Sequence, residues 1–343
     1  MRFGLFGSAT ARHGGPDVDS GQGYRQFVDY NIEAEALGYH STFLVEHHFT
    51  GAGQVSASLS LLTWLAAKTL TLRLGTAVLV LPWHNPVLLA EQAATIDLLS
   101  GGRLDFGVGK GYRHNEFHGF CMPLEESEAR FNECLDVVVK SWTSKDRFTH
   151  HGKYWNFADI IVEPPTAQKP HPPMWMAAGS PNSIRQVAER GYNLLLDQFA
   201  SLEAIGERIA SFKAEVEKRG RTFDPLEVGV ARAFYVAKDE ADKEAALEQR
   251  LAAQRHFAAL SKAADGTQSK ASIMAFSDTR EASEEAALYG TPDEIALKLE
   301  KLRKLGVDYV LLNGGGLAHE SLRRFARELM PAFADGARMR DAG

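Results

Sequence analysis

Residues Leu72-Arg73-Leu74-Gly75-Thr76-Ala77-Val78-Leu79-Val80-Leu81 constrain the fold more than any other segment. The run is almost continuously apolar, is too short to span a bilayer, and is closed by Pro82. That pattern belongs to a strand covered on both faces, as in a parallel sheet flanked by helices. Its surroundings repeat the theme. Strand patterns at Arg2–Phe6, Thr42–Val45, Leu104–Val108, Met174–Ala178, Asn193–Leu196, Glu227–Val236 and Tyr309–Leu312 alternate with helical ones. The helical patterns cover Gly23–Leu37, Ala57–Thr69, Pro86–Leu99, Glu125–Ser141, Asn182–Arg190, Leu202–Arg219 and Ser321–Leu329, with a further helix opened by Thr291-Pro292-Asp293-Glu294. A small hairpin is expected over His151–Phe157. About eight strand–helix pairs predict a closed (β/α)8 barrel, a TIM barrel with insertions, as one domain over residues 1–343. Residues 261–289 show little periodicity and are expected to form a mobile lid or a disordered insertion.

Charge and cysteine content narrow the function. A net charge of −6 over 343 residues, without basic stripes, argues against nucleic-acid binding. No apolar run is long enough to cross a membrane. Cys121 and Cys134 make neither a disulfide framework nor a zinc pattern, so the reading is a cytoplasmic protein.

Polar residues gather at the predicted carboxyl ends of strands, where a barrel builds its site. Phe6-Gly7-Ser8 follows the first strand, Glu46-His47-His48-Phe49 the second, and Pro82-Trp83-His84-Asn85 the third. Gly109-Lys110-Gly111-Tyr112 follows the fourth, and Gly179-Ser180-Pro181-Asn182-Ser183 the fifth. One of the two histidines is a candidate acid, base or hydrogen-bond donor. Their adjacency gives no metal-ligand spacing, and no metal is expected. The Gly107-Val108-Gly109-Lys110-Gly111 run lacks dinucleotide-binding spacing but places a cation on a glycine turn. Ser180 and Ser183 sit at a helix start, where the macrodipole favours an anion such as phosphate.

Across nearly the whole chain the sequence resembles the bacterial luciferase-like flavin-dependent monooxygenases. The resemblance rests on Glu46-His47-His48-Phe49, on Gly75 to Pro82, on Leu98 to Tyr112, on Gln168-Lys169-Pro170-His171-Pro172-Pro173, and on Gly290-Thr291-Pro292-Asp293-Glu294. It implies FMN, reduced by a separate flavin reductase, that reacts with O2 to a C4a-peroxyflavin and oxygenates a small apolar substrate such as an aldehyde, ketone or terpenoid. His47 matches the histidine that is catalytically important in luciferase, and Glu116 an acidic position near its site. The family's phosphate arginine falls on Lys110, with Gly111 and Tyr112 beside it at the cofactor. Its phosphate hydroxyls match Ser180 and Ser183, and their acidic neighbour falls on Gly179. A cis peptide near the flavin ring matches Ala77-Val78. A homodimer through the helices flanking strands two and three is also implied. Two alternatives accompany this reading: hydride transfer with the deazaflavin F420 on the same barrel, and a flavin-binding protein without turnover.

Overall fold

The computed structural model describes residues 1–260, 262, 266, 271–315 and 318–334. Its centre is a closed barrel of parallel strands: β1 (Arg2–Gly7), β2 (Ser41–Leu44), β3 (Arg73–Thr76), β4 (Leu104–Gly109), β5 (Met174–Ala177), β6 (Asn193–Leu196), β7 (Val228–Val236) and β8 (Tyr309–Asn313). Each pairs with the next, and β8 returns to β1 with Arg2 opposite Tyr309 and Leu5 opposite Leu312. Around it lie α1 (Gln22–Ala36), α2 (Ser58–Lys68), α3 (Pro86–Leu99), α4 (His114–Gly119), α5 (Ser127–Thr143), α6 (Pro181–Arg190), α7 (Leu202–Lys218), α8 (Glu240–Leu260), α9 (Arg280–Glu285), α10 (Pro292–Lys304) and α11 (His319–Glu328). The expected (β/α)8 barrel is the fold observed. Among the described residues no helix is long and apolar enough to cross a membrane.

Alternation along the strands sends one set of side chains outward to the helices and the other into the barrel. Inside, Phe43, Trp175, Leu195, Tyr309 and Leu311 pack together, with the Phe43 and Trp175 rings 5.6 Å apart and edge-on. Glycine makes room for them. A Cβ at Gly75 would lie 2.4 Å from the Phe43 ring. Below this layer, at the amino ends of the strands, Arg73 grips Asp105 through Nε (2.7 Å) and Nη2 (3.0 Å). Asp105 Oδ1 also accepts the Trp175 indole N–H at 3.1 Å. The barrel is therefore plugged at its amino end and offers its carboxyl end for a site.

Local chemistry explains where the helices start. Asn85 Oδ1 accepts the N–H groups of Val87 and Leu88, and Pro86 occupies the first helical position of α3. Thr291 and Glu294 form a reciprocal capping box on α10.

The predicted third strand differs most from what is observed. It stops at Thr76, a cis peptide joins Ala77 and Val78, and the chain resumes as Leu79–Val80, paired with Val108 and Gly109 of β4. The second strand spans Ser41–Leu44, one residue earlier than its pattern, and Glu46-His47-His48-Phe49 follows it as a loop. The hairpin is longer than expected, pairing Phe148–His151 with Asn156–Ile160. Helix α8 has no counterpart in the sequence reading. Within the 261–289 segment, residues 261, 263–265 and 267–270 lie outside the described residues. The remainder carries a 3-10 turn at Ser272–Met274, helix α9, and the start of a short strand, Leu288–Gly290, on the edge of β7.

Because the Phe43 ring fills the space that a Gly75 side chain would need, Gly75→Ala should destabilise the barrel by ~1–3 kcal/mol through overpacking. Urea unfolding followed by tryptophan fluorescence measures this; an unchanged midpoint would contradict the packing described.

Candidate active site

Past β2 the chain turns over the barrel rim, held by Val45 N–H on Gly7 O (3.1 Å) and His47 N–H on Val55 O (3.1 Å). This points Glu46 into the protein, where it is 2% exposed. Its Oε1 accepts Nε2–H of His48 (3.0 Å) and of His84 (2.8 Å), and its Oε2 accepts the Val80 N–H (2.7 Å). An ionised carboxylate only accepts, so both imidazoles must present a proton at Nε2. Burial alone would push the Glu46 carboxyl up. The bonds from His48, His84 and Val80 outweigh it and hold the pKa at about 2.

A second carboxylate serves the other histidine. Glu116, on the short helix α4, is 2% exposed. Its Oε1 lies 3.0 Å from both His47 Nδ1 and His48 N, with Arg113 Nη1 at 3.8 Å. His47 thus donates from Nδ1 and keeps the Nε2 lone pair free of that bond. Burial, assisted by the nearby Arg113 charge, lowers the His47 pKa against the pull of Glu116. The imidazole is neutral at pH 7, ready to accept a proton or a hydrogen bond at Nε2.

Ala77 lies against the rim beside this pair, its N–H bonded to Leu44 O at 2.7 Å. Ala77, Val78 and Phe6 are half-buried and cover the inner Phe43–Trp175 layer, forming an apolar floor. On one side Trp83 stacks on Phe120 at 5.0 Å and meets Phe117 edge-on at 4.9 Å. Another side carries Phe199, Phe257 and Phe276, with Phe199 stacked on Phe276 at 4.6 Å.

The anion-binding candidates stand on the neighbouring strands β4 and β5, where Val108 pairs with Met176. Lys110 is exposed and meets Glu128 at 3.3 Å. Gly111 follows with φ +74°, and a Cβ there would strike Val80 and Phe117, so this turn requires glycine. The Tyr112 phenol is pushed up to about 12 by burial, against the pull of Arg113, and stays protonated. Ser180 and Ser183 form the capping box that opens α6, their hydroxyls 2.8 Å apart. A side chain at Gly179 would meet Ser272 Oγ at 2.4 Å and the Arg208 guanidinium at 3.3 Å. Ser272 and Arg208 are neighbours of the serine pair that sequence patterns did not reveal.

The structure thus brings His47 and Glu116 into direct contact, and sets Ala77 and Val78 at the rim beside them. Lys110, Gly111, Tyr112, Gly179, Ser180 and Ser183 lie at the ends of the adjoining strands. Sequence reasoning missed Arg113 and the use of His84, although Trp83-His84 at the end of a predicted strand was the available signal. Among the described residues no three His, Cys, Asp or Glu side chains are grouped as a metal site requires.

A barrel with its polar groups at the strand ends around such a floor carries them where enzymes of this fold build their sites. The chain belongs to the luciferase-like monooxygenase family, whose profile matches residues 1–309. It is 28% identical over 356 residues to the oxygenase component of the flavin-dependent trigonelline monooxygenase of Acinetobacter baylyi, covering 98% of this chain and 96% of the relative. The FMNH2-dependent dimethylsulfone monooxygenase of Pseudomonas putida is 27% identical over 329 residues, covering 89% and 87%. Among solved structures, monooxygenase RslO1 of Streptomyces bottropensis superposes with a TM-score of 0.84 at 25% identity, over 97% of this chain and all (100%) of that one.

Glu46 yields a pH prediction. Its carboxyl is depressed in the folded protein, so the unfolded chain takes up the proton first and acid favours unfolding. The stability it contributes is complete above the ordinary glutamate range and disappears as the pH falls through about 2. Glu46→Gln should therefore cost ~3 kcal/mol at neutral pH, with wild type and variant converging in acid. Urea midpoints measured against pH test this, and a gap that persists at the acid end would refute it.

Proposed function

We propose that this protein is the oxygenase of a two-component system, taking reduced FMN from a separate flavin reductase and using O2 to oxygenate a small, largely apolar organic substrate. The observation that carries the reading is the His47–Glu116 pair at 3.0 Å, set at the rim beside the Ala77–Val78 floor. The donor set suits FMN: a cation and two hydroxyls at a helix start for the phosphate, small apolar residues for the ring, and a neutral imidazole nearby. Bound reduced FMN would supply the two electrons that activate O2. One oxygen atom enters the substrate, and the other leaves as water.

The chain's own residues divide the work. Lys110, Ser180 and Ser183 hold the phosphate, with Gly179, Gly111 and Tyr112 beside it, while Ala77 and Val78 support the ring. Lys110 keeps the charge of an arginine without its paired fork. Glu116 orients His47, whose Nε2 accepts or returns a proton at the reacting end. The aromatic walls keep water out. Exposed Trp64, Leu88, Leu98 and Leu99 on α2 and α3 fit a homodimer through these helices.

His47→Ala should reduce product formation by ~10²–10⁴-fold while FMN binds as before. Lys110→Ala should weaken FMN on the order of tenfold but leave riboflavin unaffected. Fluorescence titration and oxygen uptake with a panel of aldehydes, ketones and terpenoids provide the measurements. Wild-type turnover in the His47 variant would remove the catalytic assignment. Hydride transfer with F420 and no oxygen use would replace the oxygenase reading. Flavin binding without oxygen uptake on any substrate would favour a non-catalytic flavoprotein.

A further inference from the structure

Arg113 is 1% exposed, yet its Nε and Nη1 have no hydrogen-bond partner among the described residues. Other buried or half-buried arginines of this chain are supplied with acceptors. Arg73 grips the Asp105 carboxylate, Arg103 reaches the carbonyls of Ala66, Thr69, Leu72 and Ser100, and Arg232 leaves only Nε unpaired while bonding the carbonyls of Asp197, Ala200 and Ala231. These arginines support the fold. Arg113 is different: Glu116 Oε1 is 3.8 Å from Nη1, too far for a hydrogen bond, and is already shared by His47 and the His48 N–H. The guanidinium faces the Phe257 ring at 5.1 Å and the Tyr112 ring at 5.9 Å, and the Tyr112 phenol also stands against it. Aromatic faces favour a cation but accept none of its in-plane N–H bonds. Buried charged N–H groups without acceptors, here Nε and Nη1, are unfavourable, and a bound acceptor would relieve them.

We propose that Arg113 is the substrate-binding residue for an anionic group, and that the organic substrate is a carboxylate on a flat apolar body. A guanidinium with unpaired N–H groups suits an anionic acceptor such as a carboxylate. The Phe257–Phe199–Phe276 wall next to the cation suits a planar ring. The phosphate candidates Lys110 and Ser180 lie at the ends of β4 and β5, whereas Arg113 contacts the His47–Glu116 end. This deepens the proposed function and rests on the reading that a small organic molecule reacts at this mouth.

The test is binding of benzoate, with benzamide as its neutral counterpart, to the flavin-free full chain by calorimetry. Benzoate should bind at least about tenfold more tightly than benzamide, a difference of ~1.4 kcal/mol. Arg113→Gln should erase the preference and leave benzamide affinity and the circular dichroism spectrum unchanged; Arg113→Lys should retain part of it. Should these variants not fold, the wild-type Arg113 Nε–H resonance gives the answer: it should shift on titration with benzoate and not with benzamide. Saturating FMN should leave the preference intact, and its loss would place benzoate in the phosphate cradle and overturn the proposal. Equal affinity for both probes, or a preference that survives Arg113→Gln, would also overturn it. Because flavin is absent from the primary measurement, failure of FMN binding or of oxygen uptake reads out separately.

Discussion

The rim of the barrel depends on one buried carboxylate. Glu46 joins three separate pieces of chain: the loop leaving β2, the segment after the cis peptide, and the approach to α3. Removing a carboxylate from water is unfavourable by several kcal/mol unless its oxygens find donors, and here three donors converge on it. The Val80 N–H bond matters most for shape, because it anchors the chain two residues beyond the floor residue Val78. Ring packing around His48, with Phe120 at 4.9 Å and Trp83 at 5.8 Å, grows outward from that anchor.

Two histidines adjacent in sequence thereby acquire opposite characters. His48 is turned inward and spends Nε2 on Glu46, while His47 spends Nδ1 on Glu116. Each carboxylate selects a tautomer, leaving the lone pair on Nε2 in His47 and on Nδ1 in His48. The His48 backbone N–H, also bound to Glu116, links the two halves of this arrangement. Reorienting either imidazole breaks the bond to its own carboxylate.

Much of the barrel is legible in the sequence because its signals are local. Asn85-Pro86 and Ser100-Gly101 bracket α3, so Pro86–Leu99 is read at its observed limits, and Asn193–Leu196 stands out between Gly191 and the charged Asp197. The break in the third strand is not legible in the apolar pattern, which carries no record of backbone geometry; the cis peptide observed at Ala77-Val78 is the one the family resemblance implied. Helix α8 is also missed. Its buried positions include Lys243, Arg250 and Gln254, so no apolar stripe marks its inner face. At the site, His47, Glu116 and the serines are visible as residue types in suggestive places. Arg113 is not, because the lack of an acceptor is a property of three-dimensional surroundings.

The Arg73–Asp105–Trp175 plug described at the amino end of the barrel has a kinetic meaning. With that end filled, every molecule that reaches the strand ends arrives and departs through one opening. The half-buried Ala77–Val78 floor faces that same opening. A sealed base makes entry and exit share one path, so a molecule leaving the mouth stands in the way of one arriving.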